Sequence, residues 1–324
     1  MTSTKRMTAA SITAALGDLG DLARPDVPLA DYTTYRLGGP AAIFAIPTGI
    51  GALGLIAEVS RRYGLPVLVL GRGSNMLVAD GGFGGIVVSL ASMPTEMGVE
   101  GSTELAVTVD GAAALPVVAR RLSSRGIVGF EWAVGVPGSV GGAVRMNAGG
   151  HGSDMAEVVS GIHLFDLRRG QHGWVPVERL GLRFRGSDIA DHQVVVSATL
   201  RLRPGDPTQS EAQLAEIVRW RRQHQPGGRN AGSVFVNPIP GQLSAAELID
   251  GIGLRGLRIG GASVSDKHAN FIQADDGATA DDVRAVIETV RQRVLEETGF
   301  ALRSEVRLVG FDDAEIEEQP GVVW

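Results

Sequence analysis

The chain has 324 residues, of which 44% are hydrophobic and 20% charged, and its formal net charge is −6. This length exceeds one ordinary core and predicts two or three domains, in a composition typical of globular enzymes. An acidic chain without a long basic run argues against a nucleic-acid or anionic-membrane partner, because both require a strong positive field. The absence of cysteine excludes disulfides, thiolate catalysis and cysteine–zinc sites, and the scattered histidines predict no metal site.

Residues 1–32 are predicted to be a helical lead-in to the first domain. The apolar stretch there is interrupted by Gly17, Asp18 and Asp21, so it is too short and too charged for a secretory signal. No window in the sequence approaches the length of a membrane span. We therefore expect a cytoplasmic protein.

The first domain is predicted over residues 33–203, ending before the turn-forming sequence PGDP at 204–207. Residues 126–152 contain nine glycines and are expected to be ligand-shaped loops without a regular element. The pattern of apolar residues predicts helices at 53–63 and 115–124 and strands at 67–70, 86–90, 105–109, 162–167 and 194–202.

The second domain is predicted over residues 204–311 as a small α+β unit. We expect helices at 211–223, after the capping box Ser244 and Glu247, and at 279–298, with strands at 269–272 and 302–309. Residues 312–324 form an acidic tail, expected to be solvated. The G-x-G-x-x-G match at 251–256 follows a helix and precedes a strand, the reverse of a dinucleotide fold, so we set it aside.

Two glycine-rich segments in the first domain predict a cofactor site. The first, GRGSN at 71–75, follows a buried strand, where successive N–H groups form an anion site or simply a turn. The second, GVPGSVGG at 135–142, lets backbone approach a flat or phosphorylated ligand. The residues expected to contact the cofactor are Gly71, Arg72, Gly73, Ser74, Asn75, Gly135, Pro137, Gly138, Ser139, Gly141, Gly142 and Asn147.

Three single residues have chemically useful side chains, although residue type alone does not select them. Ser233 lies in a Gly- and Pro-flanked turn, where a capping serine is the ordinary interpretation. A surface arginine is the usual interpretation of Arg185, and a solvent-facing strand carboxylate is that of Glu305. The cluster RWRR at 219–222 is either a helix face or a phosphate contact.

The ordered motifs of this chain resemble those of the UDP-N-acetylenolpyruvoylglucosamine reductases. The resemblance runs from about Thr33 to Gly310. It rests on YRLGGP at 35–40, GRGSN at 71–75, GVPGSVGGA at 135–143, MNAG at 146–149, AGSVF at 231–235, ASVSDKHANFI at 262–272 and SEVRLVG at 304–310.

The resemblance implies an α+β protein, with an FAD-binding domain of the p-cresol methylhydroxylase or vanillyl-alcohol oxidase type followed by a smaller substrate domain. Residues 204–229 leave no room for a tyrosine-bearing insertion, so the chain resembles the shorter, second type. It implies noncovalent FAD and NADPH, which together reduce UDP-N-acetylglucosamine enolpyruvate to UDP-N-acetylmuramate for peptidoglycan synthesis. No obligate protein partner is expected.

The same resemblance implies roles for individual residues. Arg185 would stabilise the enolate, Ser233 would protonate the product carbon, and Glu305 would stand beside the enolate. Arg222, His224, Arg229 and Asn237 would bind the substrate.

The chain departs from the family pattern at Phe184, His224, Val236 and Gln273. Residues 224 and 236 thereby lose basic side chains expected near the substrate diphosphate. Two alternatives remain open from sequence: another FAD oxidoreductase of this domain type acting on a small alcohol, or a non-catalytic paralogue. The glycine-rich loops contain no histidine or cysteine for covalent flavin attachment, and retention of Arg185, Ser233 and Glu305 favours catalysis.

Overall fold

The computed structural model describes residues 8–311 and 321–322. The predictions for the first seven residues and for most of the acidic tail lie outside these ranges. No helix in the described ranges is long and apolar enough to cross a membrane.

Eight α-helices are present in the described residues. They are α1 (Ala9–Leu19), α2 (Ile50–Tyr63), α3 (Leu115–Ser123), α4 (Val140–Met146), α5 (Met155–Val158), α6 (Pro207–His224), α7 (Ala245–Gly251) and α8 (Ala280–Thr298).

The strands in the same ranges are mostly short. They are β1 (Ala23–Pro28), β2 (Pro40–Ala45), β3 (Val67–Leu70), β4 (Met76–Val78), β5 (Phe83–Ser89), β6 (Met97–Gly101), β7 (Leu105–Asp110), β8 (Ile127–Val128), β9 (Gly149–Gly150), β10 (Ser153–Asp154), β11 (Val159–Asp166), β12 (Gln171–Pro176), β13 (Gln193–Pro204), β14 (Arg258–Ile259), β15 (Ala262–Val264), β16 (Ile272–Ala274) and β17 (Arg307–Val309).

The first sheet has the strand order β1-β2-β5-β3, with the last three strands parallel and β1 antiparallel. The lead-in is therefore more than the helix that we expected, because β1 supplies the edge strand of this sheet. Pro25 and Pro28 prevented the prediction of this strand, because proline is unfavourable inside a sheet. Proline is nevertheless tolerated on an edge strand. A domain boundary at residue 33 would cut this sheet.

The second sheet is antiparallel, in the order β12-β11-β13-β7-β6, with β8 also paired to β13. Helices α3 and α4 pack on one face. Helix α6, which we had placed in the second domain, buries Leu214 and Ile217 in this same core. The turn at 204–207 is therefore not the limit of the first hydrophobic core.

The glycine-rich stretch 126–152 contains a regular element, contrary to expectation. Helix α4 begins at Ser139, whose Oγ accepts a hydrogen bond from Gly142 N. A Cβ on Gly141 would meet Gly111 O and Val195 at 3.2 Å. Glycine is tolerated here because it lets the helix pack closely on the sheet, an advantage that outweighs its poor helix propensity.

The third unit contains α7, α8 and the sheet β14-β15-β16. The capping box at Ser244 is confirmed, and α8 begins with a second one at Thr279. The strand expected at 302–309 is shorter than predicted and contains only β17. The residues before it form no regular strand, and Ser304 instead pairs with Phe235 in an isolated β-bridge. Strand β17 pairs in parallel with β4, so the end of the chain returns to the first domain.

The described part of the tail does not extend into solvent, contrary to our expectation. Val322 is 3% exposed and belongs to the core of the second sheet. Tertiary packing buries Val322 despite the polar composition of the sequence before it.

Candidate active site

A cleft lies where the two glycine-rich loops meet the third unit. It is lined by residues from 71–76, 136–149, 231–237 and 305–307, together with side chains from α6 and the start of β13. Segments up to 236 residues apart in sequence therefore form one site. Ser74 Oγ donates to Pro137 O at 2.6 Å and joins the two loops directly.

The glycines of these loops serve two different purposes. Gly73 has φ +58°, and a Cβ there would lie 1.9 Å from Tyr32 O, so this glycine allows one loop to pack on another. A Cβ on Gly142 would meet only Ser139 Oγ, at 3.3 Å. Gly142 lines the cleft, so glycine there leaves room for a ligand.

Two residues expected at the cofactor lie outside the cleft lining. Gly135 ends a short turn behind it. Asn147 ends α4 with φ +40° and is 3% exposed. Its amide nitrogen donates to Asp154 Oδ2 and Arg183 O, and its oxygen accepts from Ala156 N. These three hydrogen bonds of the Asn147 side chain fix the conformation of the chain after α4.

A second cavity adjoins the cleft at Gly71 and Arg72, which line both. Its other lining residues include Tyr32, Arg36 and Arg121. The two compartments meet at a glycine-rich turn that carries an arginine. This arrangement fits an FAD-like dinucleotide, whose diphosphate lies between two ring systems. The residues present therefore fit the expected cofactor.

Arg185 and Glu305 form a partly buried ion pair in the cleft. Arg185 Nε lies 3.4 Å from Glu305 Oε1, and its Nη2 donates to Gly149 O at 2.9 Å. The guanidinium also lies over the Phe184 ring at 4.9 Å. Burial raises the pKa of Glu305 to about 7, although Arg185 and Arg303 oppose the shift. The carboxyl group therefore titrates near neutral pH.

Ser233 lies in the cleft on a loop that Asn270 holds rigid. Asn270 is 3% exposed; its side chain accepts from Phe235 N at 2.9 Å and donates to Phe235 O at 2.8 Å. Glu305 N donates to Val234 O at 2.7 Å, so the segments carrying Ser233 and Glu305 are adjacent. Asn270 lies within one of the quoted motifs, but its positioning role was not predicted.

The structure also reveals an ion cluster that the sequence did not indicate. Asp191 accepts hydrogen bonds from Arg145 and from Arg307, the latter at 2.5 Å. All three residues line the cleft. Burial and the neighbouring Arg307 lower the pKa of Arg145 to about 10, and burial lowers the pKa of Arg307. Three distant segments meet here, so no local pattern could have identified the cluster.

Of the four residues expected to bind substrate, only Asn237 lines the cleft. Its Oδ1 accepts from Ala245 N. Arg229 pairs with Asp276 at 2.6 Å, outside the lining. His224 Nδ1 hydrogen-bonds Trp220 O at 2.8 Å and its ring stacks on Trp220, as expected of a residue at a helix end.

Helix α6 turns a different arginine towards the cleft from the one we expected. Arg222 is exposed, and its carbonyl accepts from Lys267 Nζ. Arg221 lines the cleft, and burial lowers its pKa. Adjacent helical residues point about 100° apart, so only one of the pair can face a given ligand.

The remaining departures from the family pattern have local explanations. Val236 is 8% exposed, and Gln273 Nε2 donates to Gly227 O at 3.0 Å. Neither residue lines the cleft.

The cleft between the glycine-rich turns, with a second cavity beside it, fits the class of flavoprotein oxidoreductases. Residues 41–174 match the FAD binding domain family, and residues 223–309 match the C-terminal domain of UDP-N-acetylenolpyruvoylglucosamine reductase. The chain belongs to the UDP-N-acetylenolpyruvoylglucosamine reductase family.

Relatives and a solved structure support this membership. The reductase of Heliobacterium modesticaldum is 40% identical over 90% of this chain and 91% of its own length. The reductase of Paramagnetospirillum magneticum is 42% identical over 88% of this chain and 91% of its own length. The crystal structure of the reductase from Thermus caldophilus aligns with a TM-score of 0.75 at 32% identity, covering 89% of this chain and 99% of that one. The predicted fold class and family are thus confirmed.

Proposed function

We propose that this chain reduces UDP-N-acetylglucosamine enolpyruvate to UDP-N-acetylmuramate, with NADPH as hydride donor and FAD as carrier, in the cytoplasm during peptidoglycan synthesis. The observation that carries the proposal is the convergence of Arg185, Ser233 and Glu305 on the cleft lined by both glycine-rich loops. When bound, FAD supplies the chemistry of hydride transfer.

The cofactor would be held by the turn at 71–75 and by the 136–142 loop. Ser74 fixes one loop against the other, and Gly142 leaves the space that a flat ring requires. Asn75 Nδ2 donates to Glu305 O, which ties the cofactor turn to the segment that carries Glu305. No covalent link is proposed.

The protein groups would act on the enolpyruvyl carboxylate and the carbon beside it. Reduction of the vinyl group places negative charge on the carboxylate as an enolate, which the fixed guanidinium of Arg185 stabilises. Ser233 then donates a proton to the carbon beside the carboxylate; a strongly basic enolate makes a weak acid adequate. Glu305, with its raised pKa, donates a hydrogen bond to the enolate while it is protonated.

A further positive charge in the cleft supports an anionic nucleotide substrate. Arg221 lines the cleft from α6, and the neutral Asn237 lines it from the loop that carries Ser233. A small-alcohol oxidoreductase, the main alternative from sequence, is not favoured by relatives that carry the reductase name across 90% of this chain.

The deciding experiment separates the two half-reactions. Anaerobic NADPH should bleach the flavin of the purified protein, and added UDP-N-acetylglucosamine enolpyruvate should restore its absorbance with formation of UDP-N-acetylmuramate. The proposal would be overturned if small alcohols reduced the oxidised flavin while the enolpyruvyl sugar left the reduced flavin unchanged.

A further inference from the structure

The described end of the chain docks behind the cleft. Val322 is 3% exposed within the core of the second sheet. Its N–H donates to Gln193 Oε1 at 2.9 Å, and its carbonyl accepts from Gln193 Nε2 at 2.7 Å. One glutamine side chain therefore pairs with Val322 much as a neighbouring strand would.

Gln193 in turn closes the tight turn 190–193. Its Oε1 accepts from Ala190 N at 3.1 Å, and its own N donates to Ala190 O at 3.0 Å. Nε2 also donates to Asp166 Oδ2 at 3.1 Å. Gln193 is 3% exposed and lines the cleft, so it joins the chain end, the turn and the cleft wall.

The turn presents Asp191 to the cleft. Asp191 pairs with Arg145 and Arg307, and Arg145 Nε also donates to Ile189 O at 3.2 Å. Arg307 lies two residues from Glu305 on the same segment. Any shift of the turn therefore moves the carboxylate that orients two cleft arginines.

We propose that Val322 is a positioning residue, which fixes the 190–193 turn through Gln193 and thereby holds Asp191 against Arg145 and Arg307. The end of the chain is in this sense part of the framework of the site. The kinetic side of this inference depends on the proposed function, whereas the effect on bound flavin does not.

The test is a double-mutant comparison in the full chain. Val322→Asp places a charge in the core and displaces residues 321 and 322 from it. Val322→Ile preserves the packing and both hydrogen bonds to Gln193. Asp191→Asn removes the bridging carboxylate. Val99→Asp, at a site 38% exposed, is the matched control. The readouts are the visible absorption spectrum of bound FAD, which requires no substrate, and kcat and KM measured separately.

Val322→Asp and Asp191→Asn should each lower kcat/KM about tenfold and shift the flavin spectrum alike. The double variant should match Asp191→Asn within about twofold, because residues acting through one group are not additive. Val322→Ile and Val99→Asp should behave as the unmodified protein. If Val322→Asp does not fold, Val322→Ala should show a smaller shift of the same spectral form.

An unchanged flavin spectrum in Val322→Asp and Val322→Ala, or a double variant whose kcat/KM is reduced about a hundredfold, would overturn the inference. A wild-type protein that binds FAD but does not reduce the enolpyruvyl sugar would instead overturn the proposed function. In that case the spectral comparison still tests the role of Val322.

Discussion

Arg185 and Glu305 approach each other to 3.4 Å between Nε and Oε1, yet burial keeps the pKa of the carboxyl group near 7. The pair is therefore a charged arginine beside an acid that is half protonated near neutrality. Desolvation outweighs the arginine because the side chain of Glu305 is only 18% exposed.

The first prediction concerns stability and pH at Glu305. The pKa of Glu305 in the folded protein, about 7, exceeds its ordinary value of 4.5, so the folded state binds more protons than the unfolded state between these pH values. The stabilisation is complete below about 4.5 and is lost as pH rises through about 7. Glu305→Gln has no such titration. The free energy of unfolding of this variant, relative to that of the wild type, should therefore rise by up to about 3 kcal/mol as pH increases from 4.5 to 8.

Urea unfolding of both proteins at several pH values measures this difference. Glu100→Gln, at an exposed strand position, is the matched control and should show no comparable gain. A constant difference between Glu305→Gln and wild type across the range would contradict a raised pKa.

The second prediction separates the half-reactions through Ser233. Ser233→Ala removes the proposed proton donor but leaves the loop held by Asn270. Reoxidation of the flavin by substrate should slow by about 10²–10⁴-fold, the usual contribution of a general acid, while reduction by NADPH stays near normal. Stopped-flow absorbance measures both steps, with the exposed Ser92→Ala as control. Equal slowing of both halves would indicate a damaged cofactor site instead.

The third prediction concerns the space left by Gly142. Gly142→Val projects a side chain into the cleft, where a Cβ meets only Ser139 Oγ, at 3.3 Å. FAD affinity should fall at least about tenfold, because bulk there occupies ligand space. The control, Gly54→Ala in α2, has no atom within 4 Å of its Cβ, and should retain FAD and gain about 0.5–1 kcal/mol of stability. Fluorescence titration of apoprotein with FAD measures the affinity; equal affinities would exclude the proposed placement.

The fourth prediction distinguishes two adjacent arginines. Arg221 faces the cleft and Arg222 is exposed away from its lining. Arg221→Gln should weaken UDP-sugar binding about 10–100-fold, the range for a lost hydrogen bond to a charged group. Arg222→Gln and His224→Ala should have little effect, and the pH dependence of affinity should survive loss of His224. Calorimetric titration across pH 5.5–8 measures these affinities. A larger loss of affinity in Arg222→Gln than in Arg221→Gln would instead support Arg222 as the substrate-binding residue.

Local patterns in the sequence were sufficient for the elements whose signals are local. The strand at 67–70 and the capping box at Ser244 were predicted because a short apolar run and a capping motif depend only on neighbours in the chain. The glycine-rich turns were recognisable for the same reason. The resemblance in ordered motifs supplied the family, and with it Arg185, Ser233 and Glu305.

Tertiary structure decided what depends on contacts between distant segments. Only packing shows that β1 joins the first sheet, that α6 presents Arg221 instead of Arg222, and that Val322 is buried against Gln193. The ion cluster of Asp191 likewise exists only because α4, the 190–193 turn and β17 meet. Sequence therefore determined the elements that have a local signal, and the chemical family. The folded chain determined which side chains share the cleft, because desolvation and ion pairing depend on three-dimensional neighbours.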